Sequence, residues 1–349
     1  MYLAWKEIVF HKGRYILVAS IVCLMAFMVF FLSSLSDGLA KQNRMAVENW
    51  RAESVVLSDY ANENLLASTI NRADVSSYLS QGERALVGQM TATAEKVGQD
   101  KKVNSQVFGV DFKGFLSPQV SAGRLPKSSK EILADLSIER KGIHLGDSIK
   151  INGRGPYQVV GLTENQIFFT QPVLFMSLED QAALRGKDAV SALVLRDQGT
   201  IEAEGLSQVS SKTVIEKIPG YQAQSLTFQF MIGAMVVVTV LVLAIFMYIL
   251  VLQNMGLYGV MRAQGIGSGI IVRSVFAQIA ILVAMGLLVA LLLLVGVEQL
   301  LPASMPFYSD WLSYGKLSAL LFFLSLTGGF LSLKRILRID PLKAIGGDA

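Results

Sequence analysis

Cysteine is nearly absent: Cys23 stands alone inside an apolar run, so no disulfide can form within the chain. Histidine is almost as scarce. His11 and His144 lie far apart, which excludes a histidine-rich metal cluster within one chain. Charge is thin too, at 17% of residues against 52% hydrophobic, too apolar for an ordinary soluble protein. No GxxxxGK[ST] motif occurs, so this polypeptide does not hold ATP through one. The glycine-dense stretch MRAQGIGSG reads GxGxG rather than GxGxxG and follows no strand, so it is not a dinucleotide fingerprint. The apolar runs carry no paired acids, histidines or nucleophiles, and no catalytic residue is assigned. The net charge of +4 is read by position rather than as a sum, and no nucleic-acid partner is expected.

What is present is greasy length. Four runs are long enough to cross a bilayer: Tyr15–Ser36, Phe228–Leu252, Ser274–Val297 and Leu317–Leu333. Lys6, Lys12 and Arg14 precede the first, Arg262 and Arg273 separate the second from the third, and Lys334, Arg335, Arg338 and Lys343 follow the fourth. By the positive-inside rule both termini are cytoplasmic, and the long segment after the first span is outside, as is the loop PASMPFYSDW. The first run is longer than a signal-peptide core and keeps helical spacing beyond it, so a signal peptide is not expected.

The chain then divides as follows. Residues 1–13 form a cytoplasmic interfacial helix, with Leu3, Trp5, Ile8 and Val9 beside Lys6, Glu7 and Lys12. His11 there reads as a surface contact. Residues 14–50 are the first span and a stalk, one helix from about Tyr15 to about Glu48, because Leu32, Leu35, Leu39 and Ala46 continue the apolar face. Residues 51–219 are an outer α+β domain, large enough at roughly 170 residues to bury its own core. Strands are expected at Ser54–Leu57, Gln89–Lys96, Val103–Val110, Ser148–Asn152, Tyr157–Leu162, Val173–Met176, Ala192–Leu195 and Thr213–Ile218, and helices at Asn62–Leu79, Ser128–Lys141, Leu178–Arg185 and Ile201–Ser210. NGRG is a hairpin signal, and His144 sits in a surface turn. Then come 220–252 (stalk and second span), 253–269 (a cytoplasmic segment), 270–298 (third span), 299–316 (outer loop), 317–334 (fourth span) and 335–349 (a basic cytoplasmic tail). Gly328-Gly329 suits close helix packing.

The second long helix organises the rest. From Tyr221 to Leu252 it is about 48 Å long, more than the roughly 30 Å of a bilayer core. One edge carries Tyr221, Gln224, Phe228, Met231 and Met235 at steps of three and four, the spacing that faces a partner helix. This edge is the candidate substrate contact, with Met28, Phe31 and Leu35 of the first span opposite it. The alternative is that it is only a helix–helix seam. The Gly-punctuated segment after the helix is the candidate site of energy input.

Four spans, a large outer domain between the first two, the stretch KEILADLSIERKGIHLGDSIKINGRGPYQVVGL and the closing RIDPLKAIG together resemble the FtsX/MacB-type permeases of ABC transporters. KEIVFHKGRYIL, LSDGLAKQN, GYQAQ, LLPASMPFY and DPLKAIGGDA are most similar to the haem-efflux branch of that family. The resemblance implies an α-helical membrane protein with four transmembrane helices plus an α+β extracellular domain, the type VII or MacB-like permease. It implies a homodimer with two copies of a separate ABC ATPase, which holds ATP and Mg. Residues 253–269 would touch that ATPase, with Met255, Gly256, Tyr258, Gly259, Arg262 and Gly265 as coupling residues.

Haem is then the transported substrate rather than a resident cofactor. It is flat, largely apolar and anionic at its propionates, and its iron accepts axial ligands. Met231 and Tyr221 are candidate iron ligands, and Phe228 and Phe230 a sandwich for the ring. The expected setting is the plasma membrane of a single-membrane, Gram-positive cell. Two other readings stay open: export of another amphiphile such as an antimicrobial peptide, macrolide or lipid, and a non-transporting permease that transmits ATPase motion to an outer partner.

Overall fold

The structure is a computed structural model describing residues 6, 7, 9, 10, 12–302 and 305–336. Most of the interfacial helix, including Leu3, Trp5, Ile8 and His11, therefore lies outside the described residues, as do Arg338, Lys343 and the DPLKAIGGDA tail. The chain resolves into two units, Met1–Gly38 with Leu226–Ala349, and Leu39–Ser225.

The first unit is helical. Among the described residues three helices are long and apolar enough to cross a membrane: Lys12–Glu48, Tyr221–Gln253 and Ser268–Glu298. The expected fourth run forms the helix Trp311–Ile336, which packs along Ser268–Glu298. Each inner face follows the helical repeat. Tyr15, Val18, Val22, Ala26, Val29 and Phe30 are buried on the first helix, and Val236, Leu243, Met247 and Leu250 on the second. Gly286 admits the first helix closely, since a Cβ there would lie 2.7 Å from Val22 Cγ1. Gly328 does the same for Val240, with Cγ1 3.1 Å from where a Cβ would stand. After the third helix the chain folds back on the first. The Tyr308 backbone N–H donates to the Ser34 carbonyl at 3.2 Å, the Ser34 and Tyr314 hydroxyls share a 2.6 Å bond, and Phe307 lies 5.6 Å from the Phe31 ring.

The second unit is α+β. Its main sheet runs in the order Leu206–Ser210, Ser54–Ser58, Ala192–Leu195, Arg84–Lys96, Lys102–Val110, Gln171–Ser177, Glu131–Asp135, Arg154–Thr163 and Val120–Gly123. It is mixed: Gln171–Ser177 runs parallel to Lys102–Val110, and Glu131–Asp135 parallel to Arg154–Thr163. The NGRG hairpin forms between Ser148–Ile151 and Arg154–Thr163, with Asn152 and Gly153 both at positive φ, as a two-residue turn of this kind requires. Leu178–Arg185 is helical at the expected bounds. Ser177 Oγ accepts from the Asp180 N–H, acids fill the first turn, and Gly186 closes the helix in the left-handed region.

Four expectations in this unit are corrected. Thr213–Ile218 is not a strand: Ser211–Glu216 is a short helix, capped by Ser210 through the Thr213 N–H. Ile201–Ser210 is not a helix, because Leu206–Ser210 pairs with Ser54–Ser58 at the sheet edge. Ser128–Lys141 splits into the strand Glu131–Asp135 and a 3-10 turn, Leu136–Lys141, whose start is capped by Asp135. Asn62–Leu79 keeps only Arg72–Ser76 as α-helix, after the short strand Ile70–Asn71. In each case a local cap or a long-range strand pairing overrides propensity.

Gln181 sits on the buried side of Leu178–Arg185, over a hollow made by Gly88 and Gly109, which face each other across paired strands. A Cβ on Gly109 would stand 2.6 Å from Gln181 Cβ. Both amide atoms of Gln181 are buried with no hydrogen-bond partner among the described residues. Such burial costs about 1–3 kcal/mol. Gln181→Met should therefore keep or raise the thermal melting midpoint of the full chain, followed by circular dichroism. Gly109→Val, which fills the hollow, should lower it, at a cost of about 1–3 kcal/mol. The reverse order would show that the amide is satisfied.

Candidate functional site

The most concentrated polar chemistry of the helical unit lies around the Glu7 carboxylate. Asn254 Nδ2 donates to Glu7 Oε1 at 2.6 Å, and Gln278 Nε2 donates to Glu7 Oε2 at 2.5 Å. The Tyr15 hydroxyl donates to Gln278 Oε1 at 3.1 Å, and Arg14 Nη2 reaches Asn254 Oδ1 at 3.4 Å. The Tyr258 hydroxyl joins the same group, with hydrogen bonds to Glu7 and Asn254. Burial, and then the charge of Glu7, push the Tyr258 phenol up to about 12, so it stays protonated at neutral pH.

Each member comes from a different place in the chain. Arg14 and Tyr15 open the first long helix. Asn254 stands at the break between Tyr221–Gln253 and the short helix Met255–Ala263, which carries Tyr258. Gln278 lies one face inward on Ser268–Glu298. Tyr15, Asn254, Tyr258 and Gln278 are all buried. A carboxylate drawn partly out of water is tolerable only when its lone pairs are met, and at the half-buried Glu7 the Asn254 and Gln278 amides meet them. The arrangement ties the N-terminal segment, the short helix and the third long helix to one anion. From sequence, Glu7 read as one polar member of an interfacial helix, and nothing in that reading pointed to Gln278. The available signal was a lone amide in an otherwise apolar run.

The coupling candidates divide by exposure. Tyr258 and Gly259 are buried, whereas Gly256, Leu257, Val260 and Gly265 are exposed, and Met255 and Arg262 lie between. Gly265 takes the left-handed conformation at the end of the short helix, where the Gly265 N–H donates to the Arg262 carbonyl. The exposed residues of this helix are thus Gly256, Leu257, Val260 and Ala263, and Gly259 is buried.

The substrate candidates are also sorted. In the α+β unit the Tyr221 hydroxyl accepts from Arg44 Nη1 at 2.9 Å, and Gln224 Oε1 accepts from Asn43 Nδ2 at 3.1 Å, so both engage the chain's own first helix. In the helical unit Phe31 and Met235 are half-buried against the core, and Phe228 is half-buried. Met28 and Met231 are 44% and 47% exposed, and Phe230 is 83% exposed. Phe228 and Phe230 stand two residues apart and so on different faces of the helix, Phe228 half-buried and Phe230 exposed. Lower on the same edge, Val18, Ile21, Val22 and Met25 meet Thr239, Val242, Leu243 and Phe246 across a gap with no room for a water-sized guest. There the first two helices close on each other. No group of three or more His, Cys, Asp or Glu able to hold a metal ion occurs among the described residues.

Comparison with known proteins agrees with this architecture. The family profile for the MacB-like periplasmic core domain matches residues 15–218, and that for the FtsX-like permease C-terminal matches residues 229–341. A putative hemin transport system permease protein HrtB from Staphylococcus epidermidis is 26% identical over 99% of both chains, and its Staphylococcus haemolyticus counterpart is likewise 26% identical over 99% of both. An uncharacterized ABC transporter permease of Mycobacterium tuberculosis is 22% identical over the same share. With two abutting profiles covering nearly its whole length, the chain belongs to the FtsX/MacB-type permeases of ABC transporters.

Proposed function

We propose that this chain is the permease subunit of an ABC pump that extrudes haem from the membrane and is driven by a separate ATPase. The observation that carries the reading is similarity to hemin transport permeases along 99% of both chains. In this reading two copies pair, and two copies of the ATPase supply the ATP and Mg sites. Residues 317–334 give a fourth span, both termini are cytoplasmic, and the α+β unit lies outside the plasma membrane of a Gram-positive cell.

Free haem partitions into lipid, so an exporter gains by offering it apolar, partly exposed side chains at the membrane face of the helices. Met28 and Met231 present thioethers, which suit the haem iron, and in a dimer each is present twice. Phe31, Phe228 and Met235 back this edge. Tyr221 accepts a bond from Arg44 and keeps its own O–H to donate, which suits a propionate better than the iron. Gln224, already bonded to Asn43, holds the helix rather than the substrate.

Energy enters at Gly256, Leu257 and Val260, the outward surface of the short helix. Behind that surface Tyr258 and Asn254 share Glu7 with Gln278, so a push on the short helix moves the third long helix and the N-terminal segment together.

Haem added to the purified permease–ATPase complex should give an intense Soret band. Met28→Ala with Met231→Ala should weaken haem affinity about tenfold, a change of about 1.4 kcal/mol, with co-purification of the ATPase intact. Unchanged affinity rejects the edge. Absence of any band favours a peptide, macrolide or lipid substrate, and ATPase activity that no substrate stimulates favours a transmitter. Glu7→Gln keeps the shape of the side chain but removes the charge that its donors address, at a cost of about 1.5–3 kcal/mol. It should leave haem binding unchanged and lower haem-stimulated ATP hydrolysis severalfold. Equal stimulation would remove Glu7 from coupling. Gly256→Trp, placed in open space, should impair ATPase docking more than Gly259→Trp, which should instead lower the melting midpoint.

A further inference from the structure

The α+β unit holds a cavity of about 510 Å³, within the range of small-molecule sites. Its walls are mostly polar, with Asn49, Gln119 and Asn165 among them, and it is lined by two arginines, Arg51 and Arg196. Neither arginine forms an ion pair with any acid among the described residues. Glu164 is the one acid in the lining, so the lining carries two guanidinium charges against one carboxylate.

Arg196 is held in place. Its Nε donates to the Trp50 carbonyl at 2.8 Å, and its guanidinium carbon stands 4.3 Å over the Phe115 ring. With Nε bonded and one face stacked, the two terminal nitrogens remain as a fixed fork at the cavity wall. Another part of the lining is fixed too: Asn49 Nδ2 donates to the Asn165 carbonyl at 2.7 Å, tying the end of the first helix to the loop beyond Arg154–Thr163. Arg51, exposed and also in the lining, holds a left-handed conformation, φ 50°, which is costly for a non-glycine residue. A fixed guanidinium fork, a second guanidinium and surrounding amides match an oxyanion, which accepts from donors in all these positions. The polar lining does not suit a flat apolar ring.

We propose that this cavity is a binding site for an oxyanion group, a phosphate or a carboxylate, held between Arg196 and Arg51. The proposal stands apart from the haem reading and needs neither haem nor ATPase.

The test is isothermal titration of the full chain, in nanodiscs of neutral lipid and without the ATPase, with pyrophosphate and with citrate. At least one anion should bind saturably, with a Kd below about 1 mM. Arg51→Gln should weaken that binding at least tenfold with an unchanged melting curve, because Arg51 is exposed and no side-chain bond of the fold uses it. Arg196→Gln should weaken it further, and Arg72→Gln, on another face, should leave it unchanged. In nanodiscs of phosphatidylglycerol at equal ionic strength, weaker pyrophosphate binding identifies a lipid headgroup as the occupant, and equal binding identifies a free anion. Failure of both anions to bind, or wild-type affinity in Arg51→Gln, overturns the proposal.

Discussion

A carboxylate placed among buried amides and phenols is the constraint on which the helical unit depends. Apolar packing between long helices is forgiving of sliding, because one methyl is much like the next. The Glu7 group is not: its two oxygens address Asn254 and Gln278 separately, and Tyr258 completes the set. Losing any member leaves another buried polar atom unmet, so the elements that supply them have one register. This explains why a unit with so few charged groups places one where the chain breaks between its second and third long helices.

The α+β unit is organised by different means. Its sheet is completed by strands far apart in sequence, and its helices are short and capped by the side chains of Asn71, Asp135, Ser177 and Ser210. Close approaches are made where a side chain is missing, as at the paired glycines beneath Gln181. The cavity near Arg196 belongs to this unit alone. Its arginine is fixed by a backbone carbonyl and an aromatic face rather than by an acid, which leaves its charge available.

Much of the architecture was legible before any coordinates. Long apolar periodicity located the helices Lys12–Glu48, Tyr221–Gln253 and Ser268–Glu298 to within a few residues, since burial repeats with the helical turn. NGRG carried its own geometry and formed the hairpin as read. The weaker readings were of short segments such as Ile201–Ser210 and Thr213–Ile218, where a cap or a strand partner decides and neither is visible locally. On the candidate substrate edge the residue types were legible but their company was not. Tyr221 and Gln224 meet Arg44 and Asn43, nearly two hundred positions away in the chain.

The amino-acid sequence by itself determined that long apolar helices flank an α+β domain set between the first two of them, because hydropathy and turn chemistry are local properties that add along the chain. Only the tertiary structure decided that Glu7 gathers Asn254 and Gln278, that Gly259 is buried while Gly256 and Val260 are exposed, and that Arg51 and Arg196 line one cavity. Those facts depend on which distant residues meet, and the free energy of a buried hydrogen bond or an unneutralised charge is set by that meeting.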